Sequence, residues 1–276
     1  MNQPRRLIRD NETLRADYHR LQPGDRVVGR VRLAPGEEYL LLDLVARGIE
    51  FFPSALSQAI SRSKVMQAAL LAPFMLPHTR AIHDLHSLHR AVTAYHGAGV
   101  GRVVTKLDRA NAGMGVLLWN SVEEVLNQAT IGALALPLVL QPFMEGSRDL
   151  RVIILGDYQE AYLRHNPVGF RHNLHCGGTS EPWPLSPEQE NFCRRVMARG
   201  AFPHAHLDLM LLADERFCLG EINLRGGLRG AQISAAEYGA RLATLLAKSA
   251  EGDLSPLLPL PRQGKGTDWE AGPDHE

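Results

Sequence analysis

Near its carboxyl end the chain reads HLDLMLLADERFCLGEIN, residues 206–223, which carries carboxylates at Asp208 and Glu221 and an amide at Asn223. A hairpin turned at Ala213 to Arg216 pairs Leu212 with Phe217 and brings Asp208 directly opposite Glu221. Alternation along the strand places Asn223 on the face of Glu221. Like charges across a strand pair are destabilising, so something positive is expected between them. Two carboxylates and an amide oxygen are hard donors of the kind that suit magnesium carried in with phosphates. A solvated hairpin face, on which the two charges repel weakly, accounts for the same residues.

A second stretch with chemical potential is VVTKLDRANAGMGV, residues 103–116. A Walker A loop places its lysine after the glycines and at the start of a helix. Here Lys106 precedes them, and VLLW follows as a strand, so both the P-loop and the dinucleotide-loop readings fail on context. Taken alone, Lys106 is an ordinary strand-end lysine. His83, His86 and His89 recur at three-residue steps on a predicted helix, where a solvated surface is preferred over a metal site that shows no fourth ligand. Cys176 lies beside glycines in a polar loop and is read as a neutral packing thiol, with redox sensitivity as the alternative, while Cys193 and Cys218 read as core. Met197 and Met210 read as core filler.

These residues must be positioned by alternating strands and helices. A charged, weakly patterned stretch to residue 25 leads into a short strand at GDRVVGRVRL and a helical turn at LLLDLVARGIEFF. Residues 55–74 carry helical spacing up to Pro73, and the next segment gives a brief strand and a helix ending at Gly97 or Gly99. Ser121 and Glu124 form a capping-box pattern. LPLVLQPF is a buried strand, DLRVIILGDYQEAYLRHN a hairpin turned at Gly156 and Asp157, and Ser186-Pro187 with Gln189 opens a further helix. The AQISAAEYGARLATLLAKSA segment is a closing amphipathic helix, and Pro, Gly and charge dominate from Ser255 onward.

Composition narrows the classes. The 276 residues are 45% apolar and 22% charged, the balance of a globular chain. Lys plus Arg and Asp plus Glu both total 30, which gives no basic field for nucleic acid or anionic lipid. Three widely spaced cysteines do not make a disulfide framework or a zinc site, so a reducing cytoplasm is expected. No apolar run of spanning length and no signal-peptide pattern is found, so neither membrane insertion nor secretion is expected.

Taken in order, SRSKVMQAALL, VVTKLDRANAGMGV, VLQPFMEGSRDLRVII, FRHNLHCGG and LDLM followed by GEIN resemble the ATP-grasp superfamily, in the carboxylate-amine ligase branch that holds ribosomal-protein glutamate ligase and bacterial glutathione synthetase. The resemblance implies an α/β (α+β) fold of two subdomains gripping ATP. It assigns residues 1–60 to a shortened pre-grasp region, 61–254 to the grasp domain, with a lid over about 75–140 and a C-terminal subdomain over about 141–254, and 255–276 to a tail. It places Lys64 and Lys106 on the phosphates, Gly113, Met114 and Gly115 in a glycine lid, Gln141, Pro142, Phe143 and Met144 at an adenine hinge, and Asp149 near the ribose. Arg151, Arg171 and Asn173 are implied as catalytic, and Asp208, Glu221 and Asn223 as ligands of magnesium, or of manganese in its place.

The implied reaction transfers the γ-phosphoryl group of ATP to a substrate carboxylate, after which an amine attacks the acyl phosphate. The expected substrates are a small-molecule or peptide carboxylate and an amine acceptor such as an amino acid. Phosphotransfer on the same fold, and ATP binding without turnover, are the alternatives. The branch commonly continues its metal strand into small residues and Pro-Gly, where this chain reads EINLRGGLRG. Arg225 is therefore expected to read a carboxylate or phosphate on the acceptor. The short N-terminal region leaves one side of the cleft open to a large acceptor, or to closure by a partner chain or second copy.

Overall fold

The computed structural model describes residues 5–110, 115–166 and 178–251, which form three sheets. The first is parallel, in the order β1 (Leu7–Ile8), β2 (Arg26–Val28), β3 (Glu50–Phe52), with helices α1 (Asn11–Asp17) and α2 (Tyr39–Ala46) between its strands. Ile8, Leu14, Val27, Leu41, Leu44 and Ile49 bury against one another as its core. The charged, weakly patterned stretch before residue 25 holds β1 and α1, and the Asp10 carboxylate caps α1 by accepting from Thr13 N at 2.8 Å.

The helix expected over 55–74 is two helices, α3 (Ala55–Ile60) and α4 (Lys64–Leu70), followed by a short 3-10 turn at Ala72–Phe74. Ser63 causes the break, since its Oγ accepts from Met66 N at 3.0 Å and starts a new helix. Lys64 thereby becomes the first residue of α4.

The second sheet runs β4-β7-β5-β6 in antiparallel pairs, from β4 (Arg80–Ile82), β5 (Val103–Leu107), β6 (Val116–Trp119) and β7 (Leu138–Pro142). Helices α5 (Leu85–Gly97) and α6 (Val122–Thr130) cover it through Leu88, Ala91, Tyr95, Val122 and Val125. The Ser121–Glu124 pattern is only half realised. Ser121 Oγ caps Glu124 N, but the Glu124 carboxylate accepts from Asn120 N and Nδ2 at 2.9 and 3.0 Å instead of returning to Ser121.

The third sheet carries the candidate site. Its order is β10 (Thr179–Pro182), β9 (Tyr158–His165), β8 (Arg148–Leu155), β11 (His204–Leu211), β12 (Phe217–Asn223), with every neighbouring pair antiparallel. Period-two alternation divides it into two faces. Leu150, Val152, Ile154, Leu163, Leu207 and Leu209 bury on one face against Cys193, Val196 and Met197 of α7 (Pro187–Arg199) and against Val65 and Ala68 of α4. Asp149, Arg151, Arg164, His206 and Asp208 alternate onto the other, where α8 (Ala235–Glu251) reaches it through Tyr238. The open edge of β12 is covered by Gln67, whose amide donates to Ile222 O at 2.9 Å and accepts from Ile222 N at 3.0 Å. The far end of α8 returns to the first sheet, where Arg26 Nη1 donates to Ser249 O at 3.1 Å.

The predicted capping box of α7 is complete, with Ser186 Oγ accepting from Gln189 N and Gln189 Oε1 accepting from Ser186 N. Ser186→Ala is expected to cost about 1 kcal/mol in a urea unfolding series.

Candidate active site

The expected hairpin register is off by one at the turn and right at the carboxylates. Leu211, not Leu212, pairs with Phe217, and the register shifts between Leu209 and Asp208, leaving Asp208 opposite Glu221. The extra residue on β12 is Gly220. A Cβ there would lie 3.1 Å from the Asp208 carbonyl, so the bulge is written with the residue that lacks one.

Each carboxylate has its own positive partners in the chain, Arg151 and Arg164 at Asp208 and Lys64 at Glu221. Arg151, opposite Asp208 on β8, grips that carboxylate with Nε and with Nη2, the latter at 3.2 Å. Arg164 Nη2 bridges Asp149 at 2.6 Å and Asp208 at 3.0 Å. Burial alone would raise the Asp208 pKa, but Arg151 and Arg164 overcome it and hold the carboxyl well below the ordinary range. Asp149 goes the other way: burial, with Asp208 adding to it, outweighs Arg164 and raises its pKa. Glu221 takes Lys64 Nζ at 3.3 Å and Asn223 Nδ2 at 3.0 Å.

Two lysines converge at this end of β12. Lys64 Nζ also donates to Ala110 O at 2.8 Å, and Lys106 Nζ donates to Gly220 O at 3.3 Å. Burial lowers the Lys106 pKa, against the pull of Glu221. An ammonium whose one hydrogen bond among the described residues is to a carbonyl, beside a second ammonium, suits the oxygens of a polyphosphate. The lysines come from different elements, α4 and β5, and Asp108 joins these by accepting from Ser63 Oγ at 2.9 Å and Val65 N at 3.2 Å. Gly115 returns the chain to β6 through Leu107 N to Gly115 O at 2.8 Å, so close to Ala110 that a Cβ would collide.

The residues expected as an adenine hinge, Gln141 to Met144, occupy the end of β7 and the start of its link to β8. Gln141 is buried on β7, Pro142 pairs with Val103, and Phe143 N donates to Arg102 O while the Arg102 guanidinium covers the Phe143 ring. Met144 packs on Leu76, Leu212 and Cys218.

Thus Lys64, Lys106, Asp149, Arg151, Asp208, Glu221 and Asn223 come together, Gly115 lies against Ala110, whose carbonyl takes Lys64, and Gln141 and Pro142 pair with β5, the strand that carries Lys106. The Asp149 carboxylate, expected near the ribose, takes Arg164 Nη2 at 2.6 Å. Arg225 is exposed beyond the end of β12. Gly113, Met114, Arg171, Asn173 and Cys176 lie outside the described residues. His83 precedes the Asp84 cap of α5, and with His86 and His89 it is exposed. Among the described residues no three histidine, cysteine or carboxylate side chains converge to hold a metal. Asp208 and Glu221 with the Asn223 amide are a donor set that fits magnesium in chemistry. Arg164, Asp108 and the His206–Tyr238 pair were missed; the i, i+2 relation of Tyr162 and Arg164, opposite Arg151 and Asp149, was the available signal for Arg164.

Residues 59–246 match the family described as the RimK-like ATP-grasp domain. The chain belongs to that family. A relative described as a probable alpha-L-glutamate ligase, from Trichodesmium erythraeum, is 30% identical over 64% of this chain and 61% of its own length. The chain therefore spans about three-fifths of that relative. Among solved structures, D-alanyl-alanine synthetase A from Vibrio cholerae superposes with a TM-score of 0.56 at 16% identity, covering 82% of this chain and 78% of that one. A RiPP-associated ATP-grasp ligase from Chryseobacterium gregarium, in complex with ADP and a leader and core peptide, gives 0.54 at 16% identity over 77% of this chain and 67% of that one. These two likenesses carry the ATP-grasp fold, as the α/β architecture above does. Among the described residues no helix is long and apolar enough to cross a membrane.

Proposed function

We propose that this chain is an ATP-dependent ligase that joins a carboxylate to an amine through an acyl phosphate, in the cytoplasm. The observation that carries the reading is the meeting of Lys64 and Lys106 with Glu221 beside the Arg151–Asp208–Arg164 cluster, at the junction of the second and third sheets. In this reading 61–254 is the gripping unit, with the lid over about 75–140, the C-terminal subdomain over about 141–254, a pre-grasp region over 1–60 and a tail over 255–276. The names of the relatives support an amino acid as the amine.

Lys64 and Lys106 hold phosphate oxygens, and Gln141 to Met144 hold adenine by backbone hydrogen bonds and apolar contact. Asp208, Glu221 and Asn223 supply the oxygens for magnesium, which when bound neutralises phosphate charge. Arg151 reaches the transferred phosphoryl group from a position fixed by Asp208, and Arg171 and Asn173 are proposed to grip the acyl phosphate. Catalysis of this kind is positioning and charge neutralisation; no side chain needs to become covalently modified. Attack of the carboxylate on the γ-phosphorus releases ADP and leaves a mixed anhydride, so that the amine, attacking the acyl carbon, forms the C–N bond as the acyl C–O bond breaks and inorganic phosphate leaves.

Hydroxylamine trapping tests the reading. With ATP, magnesium and a panel of carboxylic acids, a hydroxamate is expected together with phosphate release. A phosphorylated product without hydroxamate would establish phosphotransfer instead, and nucleotide binding with neither product would establish a binder.

A further inference from the structure

Two loops from opposite ends of the sequence are fastened to one corner, the α3–α4 junction. Gln58 holds the first: its Oε1 accepts from Val31 N at 2.8 Å and its Nε2 donates to Gly29 O at 3.4 Å. Arg62 from the same corner donates to Val31 O. Ser61 holds the second loop by accepting from Leu224 N at 2.9 Å. The residue enclosed by the first set of anchors is Arg30, and the residue that follows the second anchor is Arg225. Two guanidiniums are thereby set near each other, and neither has a carboxylate partner among the described residues.

Tyr238 completes the group. Its hydroxyl lies 3.0 Å from His206 Nε2, and its ring packs against Ile153 and Tyr162. Burial raises the Tyr238 pKa, with Arg225 and Arg30 both acting against it, so all three side chains share one neighbourhood. Arg30 keeps access to solvent, yet the burial it does suffer, followed by Arg225, lowers its pKa. Behind them His206 is 1% exposed, and its Nδ1 is buried with no hydrogen-bond partner among the described residues. Gly226 presses its backbone here: a Cβ would fall 2.5 Å from Arg151 Nη1 and 2.6 Å from His206 Nδ1. The cluster therefore adjoins the Arg151–Asp208 pair and begins two residues beyond Asn223, while both lysines lie toward Glu221.

Neighbouring cations without anions store repulsion that a bound anion relieves. Planar guanidinium forks match the two oxygens of a carboxylate. The phosphates already have Lys64 and Lys106, so the anion here belongs to a different part of the bound material. We propose that Arg30 and Arg225, with the Tyr238 hydroxyl, form the subsite in this chain that docks a carboxylate of the amine-bearing substrate. The proposal rests on the ligase reading for the word substrate, but its binding chemistry is separate. The carboxylate is either the α-carboxylate or that of an acidic side chain, and the probes below distinguish them.

The full chain, loaded with magnesium and a non-hydrolysable ATP analogue, is titrated calorimetrically with L-glutamate, 4-aminobutyrate and L-glutamine. The second probe lacks the α-carboxylate and the third has an amide in place of the side-chain carboxylate. L-glutamate is expected to bind, and the probe lacking the docked carboxylate to bind about 10- to 100-fold more weakly. Arg30→Gln and Arg225→Gln should each weaken L-glutamate by a similar factor while leaving that weaker probe and the nucleotide analogue unchanged. Nucleotide affinity certifies folding, and a variant that fails this check is replaced by Arg30→Lys or Arg225→Lys, which keeps charge but loses the fork and should weaken L-glutamate by a smaller factor.

Unchanged L-glutamate binding in the Arg30 variants overturns the proposal. So does equal weakening of all three probes, or the absence of saturable binding by the wild type. If hydroxamate forms while Arg30→Gln keeps the wild-type response to L-glutamate, the subsite falls and the ligase reading stands. If no hydroxamate forms while L-glutamate binding is lost in Arg30→Gln, the reverse holds.

Discussion

Asp208→Asn is expected to lower ATP-dependent turnover by about 100- to 1000-fold or more and to destabilise the fold by about 3–5 kcal/mol. The amide has nearly the shape of the carboxylate, so the change removes charge and little volume. What remains is Arg151, whose grip on Asp208 is its ion pair, and Arg164, which keeps Asp149 alone. A buried guanidinium deprived of its counter-ion is the costly half of a broken pair. In the proposed mechanism the same substitution removes one of three oxygen donors and frees Arg151 to leave its position, so catalysis and stability fall together. Phosphate release and urea unfolding of one preparation measure both. A variant that keeps more than a tenth of wild-type turnover would remove Asp208 from the proposed metal set. Asp208 also has a pH signature: its depressed pKa contributes stability above the unfolded value near 3.9, lost as pH falls through its folded value.

The third sheet was legible because its two faces are written in period two. Leu150, Val152 and Ile154 alternate with Asp149, Arg151 and Ile153, and the apolar set goes under α7 while the charged pair goes to the other side. Register was less secure. Counting back from the turn reached Asp208 opposite Glu221 only because the bulge at Gly220 cancels a one-residue error at Leu211, and a glycine in a strand permits a bulge without requiring one. The break between α3 and α4 escaped detection because apolar spacing continues across it, while Ser63 acts through a local hydrogen bond that spacing does not reveal. Glu124 shows the same limit, since a sequence offers a cap without fixing which neighbouring N–H it takes.

Long-range partners were the least legible. Arg164 sits in a strand whose pattern was plain, but its role follows from Asp149 and Asp208 lying within reach across two ladders, which one strand does not encode. Lys106 illustrates the converse. Its residue type and place at a strand end said little, and its meaning comes from Lys64 arriving from a separate helix beside Gly220 and Glu221. Arg30 lies far from every motif, and only the shared α3–α4 anchor sets it near Arg225.

Acid should weaken the fold through His204 well before the Asp208 contribution is touched. His204 is 2% exposed at the start of β11, and burial, with Arg30 adding to it, lowers its pKa to about 4 against a hydrogen bond to the Leu224 backbone. The native state thus keeps this imidazole neutral where the unfolded chain, with a value near 6.5, takes up a proton. Stability is therefore full above about pH 6.5 and falls on acidification by about 1.4 kcal/mol per pH unit, for a total near 3 kcal/mol at the folded value. His206 titrates in the same direction, its pKa lowered to about 3 by burial and Arg151 against the pull of Asp208. Asp149, with its raised pKa, works in the opposite sense as pH falls. His204→Gln keeps a neutral polar side chain and removes one titration. Urea unfolding at pH 7 and pH 4.5 should show the wild type losing about 2–3 kcal/mol more than this variant, the His206 and Asp149 contributions being common to both. Equal losses in the two proteins would mean that His204 accepts its proton without opening the fold, and that the junction of β11 with Leu224 is looser than its burial implies.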